Sequence, residues 1–217
     1  MSLKPIRFFN DREVRTVWDE EHYPNNRASA FLDWFTYSDN SIDGQSKKKA
    51  YSLFESGILD SMKPGTVKAL QQIHAYLFGG LYDFAGKIRT KTIWKDGTLF
   101  CRAEYLLQNL KLIEAMPERT FDEIVNKYVE MNVAHPFMEG NGRSTRIWLD
   151  MLFKKRLKMC VDWSKIDKKE YLAAMRRSMT DSTDIKALLQ GAMTDKIADR
   201  ELFMKGIDYS YYYEQPD

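Results

Sequence analysis

His135-Pro136-Phe137-Met138-Glu139-Gly140-Asn141-Gly142-Arg143-Ser144-Thr145-Arg146 is the stretch on which the reading of this chain turns. It joins an imidazole, a carboxylate, two glycines, an amide and two arginines, and it runs into Ser144 to Phe153, which has helical periodicity. Glycines at such a junction let backbone N–H groups face an anion, and the N-terminus of the following helix adds the positive end of its dipole. Arg143 and Arg146 lie three residues apart, so both project from one face of the first turns. Their planar forks suit phosphate oxygens. Glu139 beside phosphates is unfavourable unless a cation such as Mg²⁺ bridges them. His135 lies within reach of the same anion. From physics alone this is a polyphosphate site with a metal carboxylate and a general base.

The same residues resemble the signature of the Fic family, His-Pro-Phe-x-(Asp/Glu)-Gly-Asn-Gly-Arg-x-x-Arg, and every defined position matches. The resemblance spans roughly residues 28–214 and includes His74 to Arg89, similar to the segment that precedes the family's flap. It implies a mainly α-helical Fic fold, a bundle with one β-hairpin flap, and transfer of AMP from ATP to a Tyr, Ser or Thr hydroxyl of a target protein. On that resemblance His135 takes the proton from the attacking hydroxyl, for which an unperturbed imidazole pKa of about 6.5 is suited. Glu139 holds Mg²⁺. Asn141 binds the α-phosphate, with Gly140 and Gly142 as close backbone donors. Arg143 holds the β-phosphate and Arg146 the γ-phosphate. Taken singly, these residues have blander readings: a capping histidine, a loop-stiffening Pro136, a core Phe137 and a solvated charge pattern at a helix start. His74 sits among Ile73, Tyr76 and Leu77 and reads as structural. His22 supports no inference.

Helical periodicity surrounds the motif. Ser38 to Ser46 reads as a polar loop, and Lys47 to Ser56 as a short helix ended by Gly57. Pro64 opens a long helix through Leu81. Helices follow at Ala103–Ala115, Phe121–Ala134 and 143–158, another is capped by Asp167, and a long amphipathic helix runs from Asp184 to Lys205, interrupted by Gly206. Between Ile88 and Arg102 the period changes, and Asp96-Gly97 is a hairpin signal. Thr92, Ile93, Trp94, Lys95, Asp96, Gly97, Thr98, Leu99 and Phe100 match the family's flap in position. That implies main-chain pairing with the target; a plain hairpin edge is the other reading. Trp94-Lys95-Asp96-Gly97 departs from the Ser-Lys-Gly-type flap, which bears on target identity.

At the far end, Ser210-Tyr211-Tyr212-Tyr213-Glu214 resembles the inhibitory motif (Ser/Thr)-x-x-x-Glu-(Gly/Asn) of one Fic class, with Gln215 departing from the last position. The resemblance implies an inhibitory helix at about 206–214, in which Glu214 pairs with Arg146 and removes it from ATP. Tyr211 occupies the place where some relatives modify themselves. An amphipathic terminal helix with aromatic packing is the plain alternative.

Residues 1–27 form an N-terminal arm, and residues 28–217 the Fic domain. Ile6 to Trp18 suggests two short strands around Asn10-Asp11, and this piece resembles the opening of Bro-N or RhuM-like antirepressor domains. With 217 residues and 44% hydrophobic content, the chain is long enough for a sizeable core. The 33 basic and 31 acidic residues leave a net charge of +2, which speaks against a nucleic-acid partner. No long apolar run suggests a membrane span, and the start lacks the apolar stretch of a signal peptide. Cys101 and Cys160 then read as free thiols in a reduced, cytoplasmic setting. Partners are ATP and a target protein, with self-association an option that the resemblance carries. Three rival functions stay open: another phosphate-containing group transfer on the same fold, removal of AMP, or a non-catalytic regulator associated with DNA. Gly142 stands where the kinase-like Doc branch has lysine, against the first of these.

Overall fold

Side-chain caps set four of the helix starts. The structure, a computed structural model, describes residues 40–95 and 97–215. Among the described residues, those from Ile42 onward group as one compact unit. Within it, α1 spans Ile42–Glu55, α2 Val67–Phe78, α3 Ala103–Ala115, α4 Phe121–Ala134, α5 Asn141–Leu157, α6 Lys168–Arg177, α7 Thr183–Ala192 and α8 Arg200–Tyr212. Thr66 accepts from Ala69 N to start α2, Asp167 from Lys169 N and Glu170 N to start α6, and Asp199 from Leu202 N to start α8. Thr120 and Glu123 form a reciprocal capping box at α4. Each cap satisfies backbone donors that a helix start leaves unpaired, a contribution of about 1 kcal/mol.

The core lies around α5, which packs on α4 and on α2. Trp148, Leu149, Leu152 and Phe153 of α5 are fully buried against Tyr128 of α4 and Leu70, Ile73 and Leu77 of α2. The indole of Trp148 donates to Thr66 O at 3.0 Å, so its one polar atom is satisfied inside. Truncating such a side chain costs about 3–5 kcal/mol. The terminal helix α8 packs on α1, on α5 and on the short 3₁₀ turn Trp163–Lys165. A β-carbon on Gly206 would lie 3.2 Å from the Trp163 ring, so this glycine lets the helix approach.

Several expectations need correction. The first helix begins at Ile42, inside what the polar composition of 38–46 suggested as loop, because Gly44 and Ser46 face inward and are buried. The helix expected from Pro64 to Leu81 is capped by Thr66 and ends at Phe78 before Gly79. The single long helix expected over 184–205 is two helices. Between them β4 (Met193–Thr194) pairs antiparallel with β3 (Cys160–Val161), Cys160 opposite Thr194. Gly206 does not interrupt α8 but lies within it, and the expected 206–214 segment is its last turns plus the Tyr213–Glu214 exit. The hairpin is present, β1 (Trp94–Lys95) with β2 (Thr98–Leu99), Trp94 opposite Leu99. It is therefore one of two small sheets among the described residues. The arm at 1–27, its strands at 6–18, the boundary at residue 28 and Asp96 fall outside the described residues. No helix among the described residues is long and apolar enough to cross a membrane.

Candidate active site

The motif occupies the C-terminus of α4, a tight loop and the first two turns of α5. His135 caps α4 in the left-handed region, with φ 48° and ψ 64°. For a residue other than glycine this is strained by about 1 kcal/mol or more, and the surroundings enforce it. Arg89 does much of that work. Its guanidinium donates to His135 O at 2.7 Å, Ala134 O at 3.0 Å, Lys91 O at 2.6 Å and Cys101 O at 2.5 Å. It ties the end of α4 to both ends of the flap segment. The His135 ring stacks on Phe100, centroids 3.8 Å apart, and Nδ1 lies 3.3 Å from Asn132 O. Donation from Nδ1–H to that carbonyl leaves the Nε2 lone pair as the acceptor. Burial pushes the imidazole pKa down to about 4, below the unperturbed value expected from sequence, with Asn132 O, Glu214 and Glu139 opposing burial and Lys95 adding to it. His135 is thus uncharged at neutral pH.

His74, on α2, holds the loop from beneath. Gly86 N donates to its Nδ1 at 2.9 Å, so Nε2 carries the proton and donates to Glu139 O at 2.8 Å. Phe137 stacks on it at 3.8 Å. Its structural reading from sequence agrees, and its attachment to the motif had no sequence signal. Gly140 turns through φ 80° against the ring of Phe78. The Asn141 side chain pairs with its own loop: Phe137 N donates to Oδ1 and Nδ2 donates to Phe137 O, both at 2.8 Å. Asn141 also lines the cleft between flap and motif, and the phosphate role expected of it would use the other Nδ2 hydrogen. Its amide staples the loop, and backbone N–H groups of the first turn of α5, which lack intrahelical partners, are further donors for an anion.

Arg143 and Arg146 are both nearly fully buried. Asp43 of α1 and Glu139 accept from Arg143, the latter at 3.1 Å, and Phe78 and Tyr211 lie against its guanidinium. Asp43 gave no sign in the sequence, being one acid in a helix's first turn. Arg143 Nε is a buried donor with no protein acceptor, a demand that a bound anion would meet. Arg146 Nη2 donates to Glu214 Oε1 at 2.7 Å and to Ser210 O at 2.7 Å, while Nε donates to Ser210 Oγ at 2.8 Å. Burial works against the charge on Glu214, yet Arg146, followed by Lys95 and Arg143, outweighs it and holds the carboxyl below its ordinary range. Lys95 of the flap reaches Glu214 at 3.9 Å. A β-carbon on Gly142 would sit 2.2 Å from Glu214 Oε1, so the glycine leaves room for that carboxylate. Tyr211 is buried, and its hydroxyl donates to Ser46 Oγ at 3.0 Å, whereas Tyr212 is half-exposed.

In the flap, Thr92 Oγ1 accepts from Ala103 N, Phe100 N donates to Ile93 O, and Gly97 takes φ 77° at the turn. Trp94 is exposed, so the outer edge of the hairpin faces solvent. A cleft of 160 Å³ lies between flap and motif, lined by His135, Glu139, Gly142, Arg146 and Glu214, with Leu172, Met175 and Met179 as its apolar wall. Glu139 is half-exposed on this cleft. No cluster of three or more metal-ligating side chains occurs among the described residues. A single carboxylate is the usual protein share for Mg²⁺, whose other ligands are phosphate oxygens and water, so Glu139 fits that role.

Residues 64–153 match the family model described as Fic/DOC. Over that stretch the chain is similar to the Fic/DOC family. Protein adenylyltransferase VbhT of Bartonella schoenbuchensis is 28% identical over 145 residues, which cover 61% of this chain and 30% of VbhT. The chain thus spans less than a third of the length of that relative. "Probable protein adenylyltransferase Fic" of Salmonella typhimurium is 27% identical over 135 residues, 57% of this chain and 67% of the relative. Among solved structures, BepC of Bartonella tribocorum, determined with bound AMPPNP, superposes with a TM-score of 0.56 at 20% identity, covering 70% of this chain and 84% of that one. The mainly helical Fic fold is therefore shared.

Proposed function

We propose that this protein is a protein adenylyltransferase that moves AMP from ATP to a target hydroxyl and is held off in cis by Glu214. The observation that carries the second half is the engagement of Arg146 by Glu214 and Ser210. One guanidinium cannot give the same N–H groups to a carboxylate and to a γ-phosphate. The small volume of the cleft supports this reading, since about 300 Å³ or more is usual for a ligand of nucleotide size and Glu214 fills part of it. The adenylyltransferase names of the relatives support the activity, as does the bound nucleotide analogue in BepC.

In this reading His135 Nε2 takes the proton of the acceptor hydroxyl as its oxygen attacks the α-phosphorus and the bond to pyrophosphate breaks. The flap aligns the target main chain beside that hydroxyl. The backbone donors of α5, Arg143 and Arg146 hold the phosphates, so catalysis is mainly positioning and charge stabilisation. Mg²⁺ held by Glu139 would neutralise charge on the phosphates. Leu172, Met175 and Met179 offer the base an apolar wall. Modification of Tyr211 would first require α8 to leave Ser46. Residues 28–217 would form the catalytic unit, and the unpaired Cys101 and Cys160 support a reducing compartment such as the cytoplasm.

The test is incubation of wild type, Glu214→Gly and His135→Ala with ATP labelled at the α or the γ position in host lysate. Truncating one partner of a buried ion pair is worth about 2–5 kcal/mol, so Glu214→Gly should raise transfer of α-label by at least about tenfold. His135→Ala should remove it. Transfer of γ-label instead would replace adenylylation with kinase chemistry, and unchanged α-label in Glu214→Gly would end the inhibitory reading.

A further inference from the structure

A cavity lies against α8, sharing only Arg146 with the cleft that holds His135. It measures 380 Å³. Leu53 and Phe54 of α1, Ile147 and Met151 of α5, and Phe203 and Ile207 of α8 form most of its wall. Protein interiors pack with few voids larger than a water molecule, so a partly open apolar space of this size leaves its walls without packing partners. It also falls within the range of small-molecule sites, about 300–1,000 Å³.

Its charges are unevenly placed. Lys154, Lys155 and Lys158, in and just after the last turn of α5, line it, and Lys154 Nζ sits 5.8 Å from the centroid of Phe203. Basic residues at a helix C-terminus are ordinary, but here three line one apolar cavity. Two carboxylates also line it. Asp60 is one. Asp150 is the other, and its two oxygens accept from Val161 N at 3.0 Å and Trp163 Nε1 at 2.8 Å. Arg143 and Arg146 line the cavity too, but they are already bonded to carboxylates.

We propose that this cavity binds a medium-chain amphipathic anion, its apolar chain between α1, α5 and α8 and its head group at Lys154, Lys155 and Lys158. The effect on the enzyme follows from the walls and rests on the inhibitory reading of Glu214. Leu202, Phe203, Gly206, Ile207, Ser210 and Tyr211 of α8 close one side. A ligand that needs α8 in place binds the docked state better and shifts the population toward it. Docked α8 is the state in which Ser210 and Glu214 hold Arg146. The anion is therefore an inhibitor, and ATP at Arg146 weakens its binding by the same factor.

The probe is sodium decanoate below its micelle concentration, titrated by calorimetry into the full chain, with acetate and decanol alongside. Saturable decanoate binding is expected, severalfold weaker in a Lys155→Gln/Lys158→Gln variant, with decanol indifferent to that change and acetate silent. Ile147→Trp, which fills the cavity, should abolish binding. Should that variant fail to fold, hydrogen exchange on the wild type serves instead, where decanoate should slow the amides of α1, α5 and α8. Absence of saturable binding, equal binding by Ile147→Trp, or exchange unchanged in those helices would overturn the site. In the transfer assay decanoate should lower wild-type AMP transfer severalfold and lower that of Glu214→Gly less, since only Ser210 then holds Arg146. Binding with no loss of wild-type transfer would overturn the regulatory half. No transfer even by Glu214→Gly would count against the enzymatic reading, while the calorimetry would still decide the cavity.

Discussion

Gly140 shows how tightly single positions are specified. Its φ of 80° favours glycine, and a β-carbon would lie 2.4 Å from Cε2 and 2.6 Å from Cζ of Phe78. The obstacle is a rigid ring, itself pinned by Arg143 and His74. Gly140→Ala should therefore cost at least about 2 kcal/mol and lower Tm by several degrees, measurable by thermal denaturation monitored by circular dichroism. The glycines of the motif were legible in the sequence because their spacing announces backbone approach. The ionisation of His135 was not. Its fall to about 4 comes from burial under Phe100 and the end of α4, which no local pattern encodes. Nor was the stapling role of Asn141, since an amide beside glycines serves a ligand or its own loop equally well.

The flap and the end of α4 behave as one piece because Arg89 spans them with four carbonyl contacts. Lysine has a compact ammonium on a flexible stem and cannot reproduce that planar fork. Arg89→Lys should leave the helices intact, lower kcat by about tenfold through misplacement of His135, and speed hydrogen exchange at the Cys101 amide, which pairs with Val133 O. Among the helices, Ala103–Ala115 and Phe121–Ala134 were readable to the residue because periodicity is clear in both and a capping box starts the second. The terminal region was not. Asp184 to Lys205 keeps helical periodicity throughout, and only the long-range pairing of Cys160 with Thr194 breaks it. Arg89 itself carried no local sign, since its four acceptors lie on three separate segments.

Three buried titratable groups give the folded unit a distinctive pH profile. Burial lowers the pKa of His74 and of His135 to about 4, and raises that of Asp150 to about 7 against the bonds from Trp163 and Val161. Depressed imidazoles contribute stability that is present above about 6.5 and is lost as pH falls toward 4. The raised carboxyl acts oppositely, contributing stability that is lost as pH rises through 7. Between these limits the unfolded chain gains two imidazole protons while the folded one keeps the Asp150 proton. The net of one proton makes stability rise with pH by about 1.4 kcal/mol per unit from these groups. Asp150→Asn removes the opposing proton and should steepen the slope by about the same amount, whatever its effect on overall stability. Urea midpoints between pH 4.5 and 6.5 compare the two slopes.

Arg146 is tethered by more than its counter-ion. Ser210 accepts from it twice, through the hydroxyl and through the main chain, so deleting the Glu214 carboxylate leaves two of the three contacts to the terminal helix in place. The molecule then has three settings: fully latched, half-latched with Ser210 alone, and free once α8 lifts. On the inhibitory reading of Glu214 its output would be graded like a rheostat, with the largest turnover belonging to whatever detaches the whole helix.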